Sequence, residues 1–233
     1  MWFLVRLDKF ICKSTQLTKA EAIEQIVIGH VEVNGNVVTI ERSQVHESNS
    51  VTLNGELLTL RPFRYLVMNK PVNTICSNID EAYPSLFNYI EVENKSELHI
   101  AGRLDADTTG LVLITDDGAW SFNITTPSKH CEKVYRVGLS KPIKEDVAAK
   151  FKVGIQLQGE DKLTMPAKLS IISPQEVLLT ITEGKFHQVK RMFQAIGNRV
   201  VSLHREQIGD IHLDLELGQW RYLTADEVQA FGK

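Results

Sequence analysis

The chain has 233 residues, 43% of them hydrophobic, with a formal charge of −3, and this is enough apolar content for a sizeable core in one domain or two. No apolar run approaches the roughly 20 residues of a membrane-spanning helix, and the opening MWFLV is too short for a signal-peptide core, so the expected location is the cytoplasm, with no membrane partner. Cys12, Cys76 and Cys131 stand singly without a CxxC pair, a pattern that points to neither a disulfide framework nor a structural zinc site.

Residues 1–60 read as a first unit. In RLDKFICKSTQLTKAEAIEQIVIG, Leu7, Phe10 and Ile11 and then Ala22, Ile23, Ile26 and Val27 recur at helical spacing, predicting two short helices. Thr18 is the predicted N-cap of the second, with Glu21 completing a capping box, and Gly29 its stop. Asn34-Gly35 in VEVNGNVVTI predicts a hairpin because both residues tolerate positive φ, and SVTLNGELLTL repeats the pattern at Asn54-Gly55. Arg6, Lys9 and Lys13, at i, i+3 and i+7, put three cations along one side of the first helix. Such a stripe is ordinarily a solvated face.

Arg61-Pro62 reads as the junction to a second unit, 61–233. RYLVMNK, the run from Leu111, KVYRVGL, LSIIS and VLLTIT read as strands, with a helix near 143–151, another strand around Val200 and a Thr-capped turn at LTADEVQAF. Strands dominate and helices fall between them irregularly, so the fold class is α+β with a mixed, largely antiparallel sheet. The overall charge argues against a generally basic nucleic-acid binder, but residues 129–144 hold Lys129, Lys133, Arg136, Lys141 and Lys144 against Glu132 alone. Residues 185–205 hold Lys185, Lys190, Arg191, Arg199 and Arg205 with no acid. Two such segments suggest one face that meets a phosphate backbone.

The densest constellation is GRLDADTTGLVLITDDG. Taken alone, Asp105, Asp107 and Thr109 admit several readings: a DxDxT phosphotransferase requiring magnesium, although that motif belongs at the end of an apolar strand and here precedes one; a calcium loop, although Asp116 stands where a bidentate Glu is needed; or a polar turn capped by its own side chains. His130 beside Cys131 suggests a nucleophile pair only until strand geometry is considered, since neighbours on a strand point to opposite faces. Structural roles are expected for both.

Two family resemblances bear on these alternatives. The order helix, helix, hairpin with RLDKFI resembles the small RNA-binding module first recognised in small-subunit ribosomal protein four, which implies RNA contacts for Arg6, Lys9 and Lys13. The unit departs from it in holding five basic against seven acidic residues and in carrying MWFLV before the usual start. GRLDADTTGLVLITDDG closely resembles the signature of the bacterial pseudouridine synthases that modify ribosomal RNA. That family's other segments follow in order as NKP at 69–71, EKVY at 132–135, EGKFHQVKRMF at 183–193 and LHREQIG at 203–209, so the resemblance spans nearly the whole chain. Asn73 stands where the family usually has Gly, and Asn tolerates positive φ.

The resemblance implies uridine isomerisation in small-subunit (16S) ribosomal RNA by a cofactor-free, metal-free monomer whose partner is ribosomal RNA or a ribosomal assembly intermediate. It assigns Asp105 as catalytic carboxylate, Lys190 as the cation that holds it ionised and oriented, and Tyr135 as the ring that stacks on uracil. Arg103 would fill the space left by a flipped base. Lys70, Arg191 and Arg205 are expected to meet RNA, Lys70 alternatively shaping a loop. Each has a plainer reading: strand tyrosines are usually core, and Lys190, Arg191 and Arg103 would serve equally as phosphate contacts. Alternatives are a large-subunit substrate, a non-catalytic RNA-binding protein whose site is idle, and the phosphotransferase.

Overall fold

The structure, a computed structural model, describes residues 4–46 and 48–232. The chain divides after Pro62 into two compact units. The first comprises β1 (Leu4–Arg6), α1 (Leu7–Ser14), α2 (Lys19–Val27), β2 (Val31–Val33), β3 (Asn36–Val37), β4 (Gln44–His46), β5 (Val51–Leu53) and β6 (Glu56–Leu57). Leu7, Phe10, Ile11, Ala22 and Ile26 from the helices pack on Val31, Val45 and Val51 from the strands, as their spacing requires. The capping box forms: Thr18 Oγ1 accepts from the Glu21 amide, and the Glu21 carboxylate accepts from the Thr18 amide at 2.7 Å. Asn34 and Gly35 (φ 54° and 77°) turn β2 into β3, and Asn54 and Gly55 (53° and 82°) turn β5 into β6.

The cationic stripe does not form as expected. Arg6 ends β1 rather than entering α1, and its guanidinium grips Asp8 with two hydrogen bonds of 3.0 and 2.7 Å. Asp8 is buried beside it, while Lys13 is half-buried and Lys9 alone of the three is exposed.

The second unit runs β7 (Tyr65–Lys70), β8 (His99–Ala101), β9 (Thr109–Thr115), α3 (Gly118–Thr125), β10 (Lys133–Leu139), α4 (Val147–Val153), β11 (Lys168–Ser173), β12 (Glu176–Ile181), α5 (Gln188–Ala195), β13 (Val200–Ile208), β14 (Ile211–His212), β15 (Trp220–Tyr222) and α6 (Ala225–Gln229). One sheet holds all its strands in the order β11-β12-β10-β13-β9-β7-β15, with β8 added on β9 and β14 on β13. Both faces of its centre are covered. Leu66, Met68, Val112 and Ile114 point into one core with Phe151 and Phe193, whereas Val67, Leu111 and Leu113 point into the other with Trp120 and Phe231, as period-two alternation demands of continuous apolar runs.

All pairings in this sheet are antiparallel except β9 with β13, a short parallel contact joining Thr109 to His204 and Gly110 to Arg205. Gly110 makes that approach feasible: at φ 109° a Cβ on it would lie 2.3 Å from the Arg205 carbonyl oxygen. Two local expectations change. The backbone N–H of Ile143 donates to Pro174 O at 2.7 Å, so α4 starts only at Val147. His130 and Cys131 precede β10, with His130 at φ 52° closing a turn, so strand alternation does not govern them. The hollow they share, about 380 Å³, includes Lys129 and Glu132, and burial pushes the Cys131 thiol up, away from a reactive thiolate.

Candidate active site

Asp105 sits in the turn between β8 and β9, closed by a hydrogen bond of 3.1 Å from the Thr108 amide to its carbonyl. Two buried cations brace that turn from below. Lys70, at the end of β7, donates through Nζ to the carbonyls of Thr108 (2.9 Å), Pro71 (3.0 Å) and Ala106 (3.4 Å). Arg205, on β13, donates to Leu111 O and Gly102 O, each at 2.7 Å, and to the Tyr135 hydroxyl at 3.3 Å. Asn73, at φ 60°, sends its amide to Ala106 O at 2.8 Å, so the NKP loop and the Asp105 turn hold each other. Burial pushes the Lys70 ammonium down, against the attraction of Cys76, Asp107 and Asp105.

From above, Lys190 reaches over from the first turn of α5. Its Nζ lies 2.7 Å from Asp105 Oδ2 and 2.6 Å from Asp107 Oδ1. Burial disfavours this ammonium, but hydrogen bonds to the two carboxylates outweigh it and raise Lys190. Burial likewise works against the Asp107 charge, and the Lys190 contact more than offsets it, so Asp107 is lowered. On the other side of Asp105, His187 Nε2 is 3.5 Å from Oδ1. Tyr135 projects from β10 with 7% of its surface exposed, and a cleft lined by Arg103, Asp105, Tyr135, His187, Lys190 and Leu203 opens between them. A carboxylate fixed by a cation beside a nearly buried ring can attack an electron-poor carbon or move a proton next to a planar ligand.

Residues 64–195 match the RNA pseudouridylate synthase family, and residues 5–51 match the S4 domain. The chain belongs to the pseudouridine synthase family. It is 48% identical, over 98% of its length and all of the relative's, to ribosomal small subunit pseudouridine synthase A of Vibrio cholerae, and 45% identical to the Escherichia coli protein of that name over 96% and 98%. A crystal structure described as a pseudouridylate synthase matches 97% of this chain, and 99% of its own, at 46% identity with a TM-score of 0.72. The architecture is accordingly an S4 domain followed by an α+β pseudouridine synthase catalytic domain, and the protein is an RNA isomerase. The phosphotransferase reading falls with that assignment.

Within this family frame the structure gathers Asp105, Tyr135, Lys190 and Arg103 at one cleft. It does not bring the other expected RNA contacts there. Lys70 and Arg205 have 0% and 1% of their surface exposed and are wholly engaged with carbonyls and the Tyr135 hydroxyl, so neither meets a phosphate. Arg191 is also engaged within the protein, donating to Glu160 (3.0 Å), Phe186 O (3.1 Å) and Gln158 O (2.7 Å). His187 and the shared role of Asp107 were not anticipated. For Asp107 the spacing was a usable signal: two carboxylates two residues apart in a tight turn can converge on one cation. Nothing in the sequence alone placed His187 beside Asp105.

Proposed function

We propose that this pseudouridine synthase isomerises a uridine of small-subunit (16S) ribosomal RNA, without a cofactor, with Asp105 as the carboxylate at the reacting ribose. The reading is carried by the Asp105–Lys190 pair at 2.7 Å, open to a cleft that also holds Tyr135 and Arg103. The near-half identity to relatives named for the small subunit supports that RNA over the large-subunit one.

In the reaction the bond from ribose C1′ to uracil N1 breaks, the base turns, and C1′ joins C5. The proton lost from C5 is balanced by one gained at N1, so the atoms require no donor or acceptor from outside. Asp105 acts on the electron-poor sugar, as attacking group or as stabilising charge, and Lys190, 2.7 Å away, keeps it aimed. Tyr135 lies against the base, and its hydroxyl, accepting from Arg205, keeps its own proton free for a second partner. A base in folded RNA must first be flipped out, at a cost of a few kcal/mol; Arg103, exposed at the cleft mouth with no hydrogen bond to another described residue, is suited to the vacated space. Asp105, Tyr135 and Lys190 come from one chain, which fits a monomer acting in the cytoplasm on ribosomal RNA or an assembly intermediate, with Lys9 among its phosphate contacts.

Incubation with unmodified ribosomal RNA in EDTA, followed by mapping, should yield pseudouridine at a single 16S uridine. Product confined to large-subunit RNA would overturn the substrate, and product that vanishes with EDTA would overturn the cofactor-free route. Asp105→Asn should lower turnover by about a thousandfold or more while leaving RNA binding intact, since the amide keeps the shape but loses charge and nucleophilicity. A tenth of wild-type activity in a deamidation-free preparation would sink the assignment.

A further inference from the structure

Phe186 is 76% exposed, the most exposed large apolar side chain among the described residues, and exposure by itself means little, since scattered apolar residues are normal on a protein surface. Its surroundings give the exposure meaning. The Phe186 ring stacks on the His187 imidazole with centroids 3.7 Å apart and planes 22° from parallel. The stack joins adjacent residues at a turn where His187 adopts φ 49°. The same imidazole lies 3.5 Å from the Asp105 carboxylate, so Phe186 stands one stacking layer out from the ring that touches the reacting group.

The loop beneath is held rigidly. Glu183 accepts from the Met165 amide and the Gln188 side chain, both at 2.8 Å. Gln188 Oε1 accepts from the Lys185 amide at 2.8 Å. Glu160 pairs with both Lys185 (2.8 Å) and Arg191 (3.0 Å), and Arg191 donates to the Phe186 carbonyl itself. An aromatic ring with one face against an imidazole, the rest open to water and its backbone fixed has lost little freedom still to lose on binding. It is ready to take a flat ligand on its outer side. Arg103 and Lys190 line the cleft that His187 also lines, so cations stand on the inner side of the stack, which matches a ligand that carries phosphates.

We propose that Phe186, backed by His187, is a stacking platform for the unpaired nucleobase next to the target uridine in the RNA strand. The inference rests on the uridine-isomerising reading above, and it adds a contact outside the reacting nucleotide. Such a contact tolerates any base, because every base has a π-face. It would fix the strand so that the flipped uridine falls over Asp105, and would act on substrate binding more than on the chemical step.

The test uses the full chain and a short single-stranded RNA carrying the target uridine with 2-aminopurine immediately 5′ or 3′ to it. At saturating protein, one of the two labels should be quenched by wild type and by Phe186→Trp, but not by Phe186→Leu, which keeps an apolar side chain and removes the π-face. Phe186→Leu should raise KM about five- to a hundredfold, the range expected for one base–aromatic stack, with kcat within about threefold and an unchanged thermal midpoint. Equal quenching in wild type and Phe186→Leu would overturn the platform while leaving the isomerase intact. A defect confined to whole ribosomal particles and absent on naked RNA would also overturn it, assigning the ring to a protein partner. Failure of the wild type to form pseudouridine on any ribosomal RNA would instead strike the proposed function, and the quenching would still report whether a base stacks on Phe186.

Discussion

The turn that carries Asp105 has cations on both sides, and the two sets do opposite work. Beneath it, Lys70 and Arg205 are buried and donate chiefly to backbone carbonyls. Above it, Lys190 is 27% exposed and meets carboxylates, and Arg103 is open to solvent. A buried cation must have its donors satisfied within the protein and is therefore unavailable to RNA. A half-exposed one can hold a charge in place and still face a ligand. Residues of the same type, in motifs of equal prominence, thus divide by burial alone into cations consumed by the backbone and cations still open to a ligand.

The sharpest way to break this division is to remove a brace. Arg205→Met should destabilise the second unit by about 2–5 kcal/mol, because two carbonyls and the Tyr135 hydroxyl lose a shared donor in a dry interior. Arg205→Lys should not restore it, as an ammonium cannot span the three acceptors that the planar guanidinium reaches. Urea unfolding followed by tryptophan fluorescence would measure both, since Trp120 and Trp220 lie in this unit. A variant of wild-type stability with a weakened RNA salt dependence would return Arg205 to the phosphate contacts.

A smaller effect is expected above the turn. Lys190→Met should slow turnover about ten- to a hundredfold, matching the roughly 1.5–3 kcal/mol of a charged hydrogen bond, with the unfolding midpoint nearly unchanged. Asp107→Asn should cost less than about fivefold, because its carboxylate is 68% exposed and an exposed ion pair contributes at most about 1 kcal/mol. Rates under single-turnover conditions would separate them. Equal losses in the two variants would mean that Lys190 serves both carboxylates alike, and that Asp107 belongs to the reacting set.

The contrast also marks where sequence reasoning stops. Local rules sufficed for the Thr18–Glu21 capping box, for the turns at Asn34-Gly35 and Asn54-Gly55, and for β10, because each depends on residues adjacent in the chain. The GRLDADTTGLVLITDDG motif carries the family resemblance that points to Asp105, but says nothing of what lies against it. Lys70 and Arg205 looked like phosphate contacts because their burial depends on strands β7, β9 and β13 closing over them. The contact of His187 with Asp105 joins positions 82 residues apart, which no spacing rule reaches. Gly110 belongs to the same class: its φ and the nearness of Arg205 follow from a parallel pairing invisible in the local pattern.

The smallest expected effect lies in the first unit, where the same division separates three cations that sequence spacing had grouped together. Arg6 braces the buried Asp8, Lys13 is half-buried, and Lys9 alone is exposed. Removing all three would therefore mix a folding defect with a binding one, since an unpaired Asp8 carboxylate would remain in the interior. Lys9→Ala alone avoids this. If Lys9 contacts one phosphate, its loss should lower the slope of log affinity against log salt by about 0.9 on duplex RNA, taking the duplex DNA value as a guide, or about 0.7 on single strands. Thermal stability and turnover on a short single-stranded uridine substrate should both hold. Arg6→Ala should show the reverse, a lower unfolding midpoint with the salt slope changed only as far as unfolding reduces the competent fraction. A salt titration of ribosomal RNA binding for wild type and both variants, read beside their melting curves, decides the matter: an unchanged slope in Lys9→Ala would leave the first unit without its proposed phosphate contact and make the excess of acidic residues there the better guide to its surface.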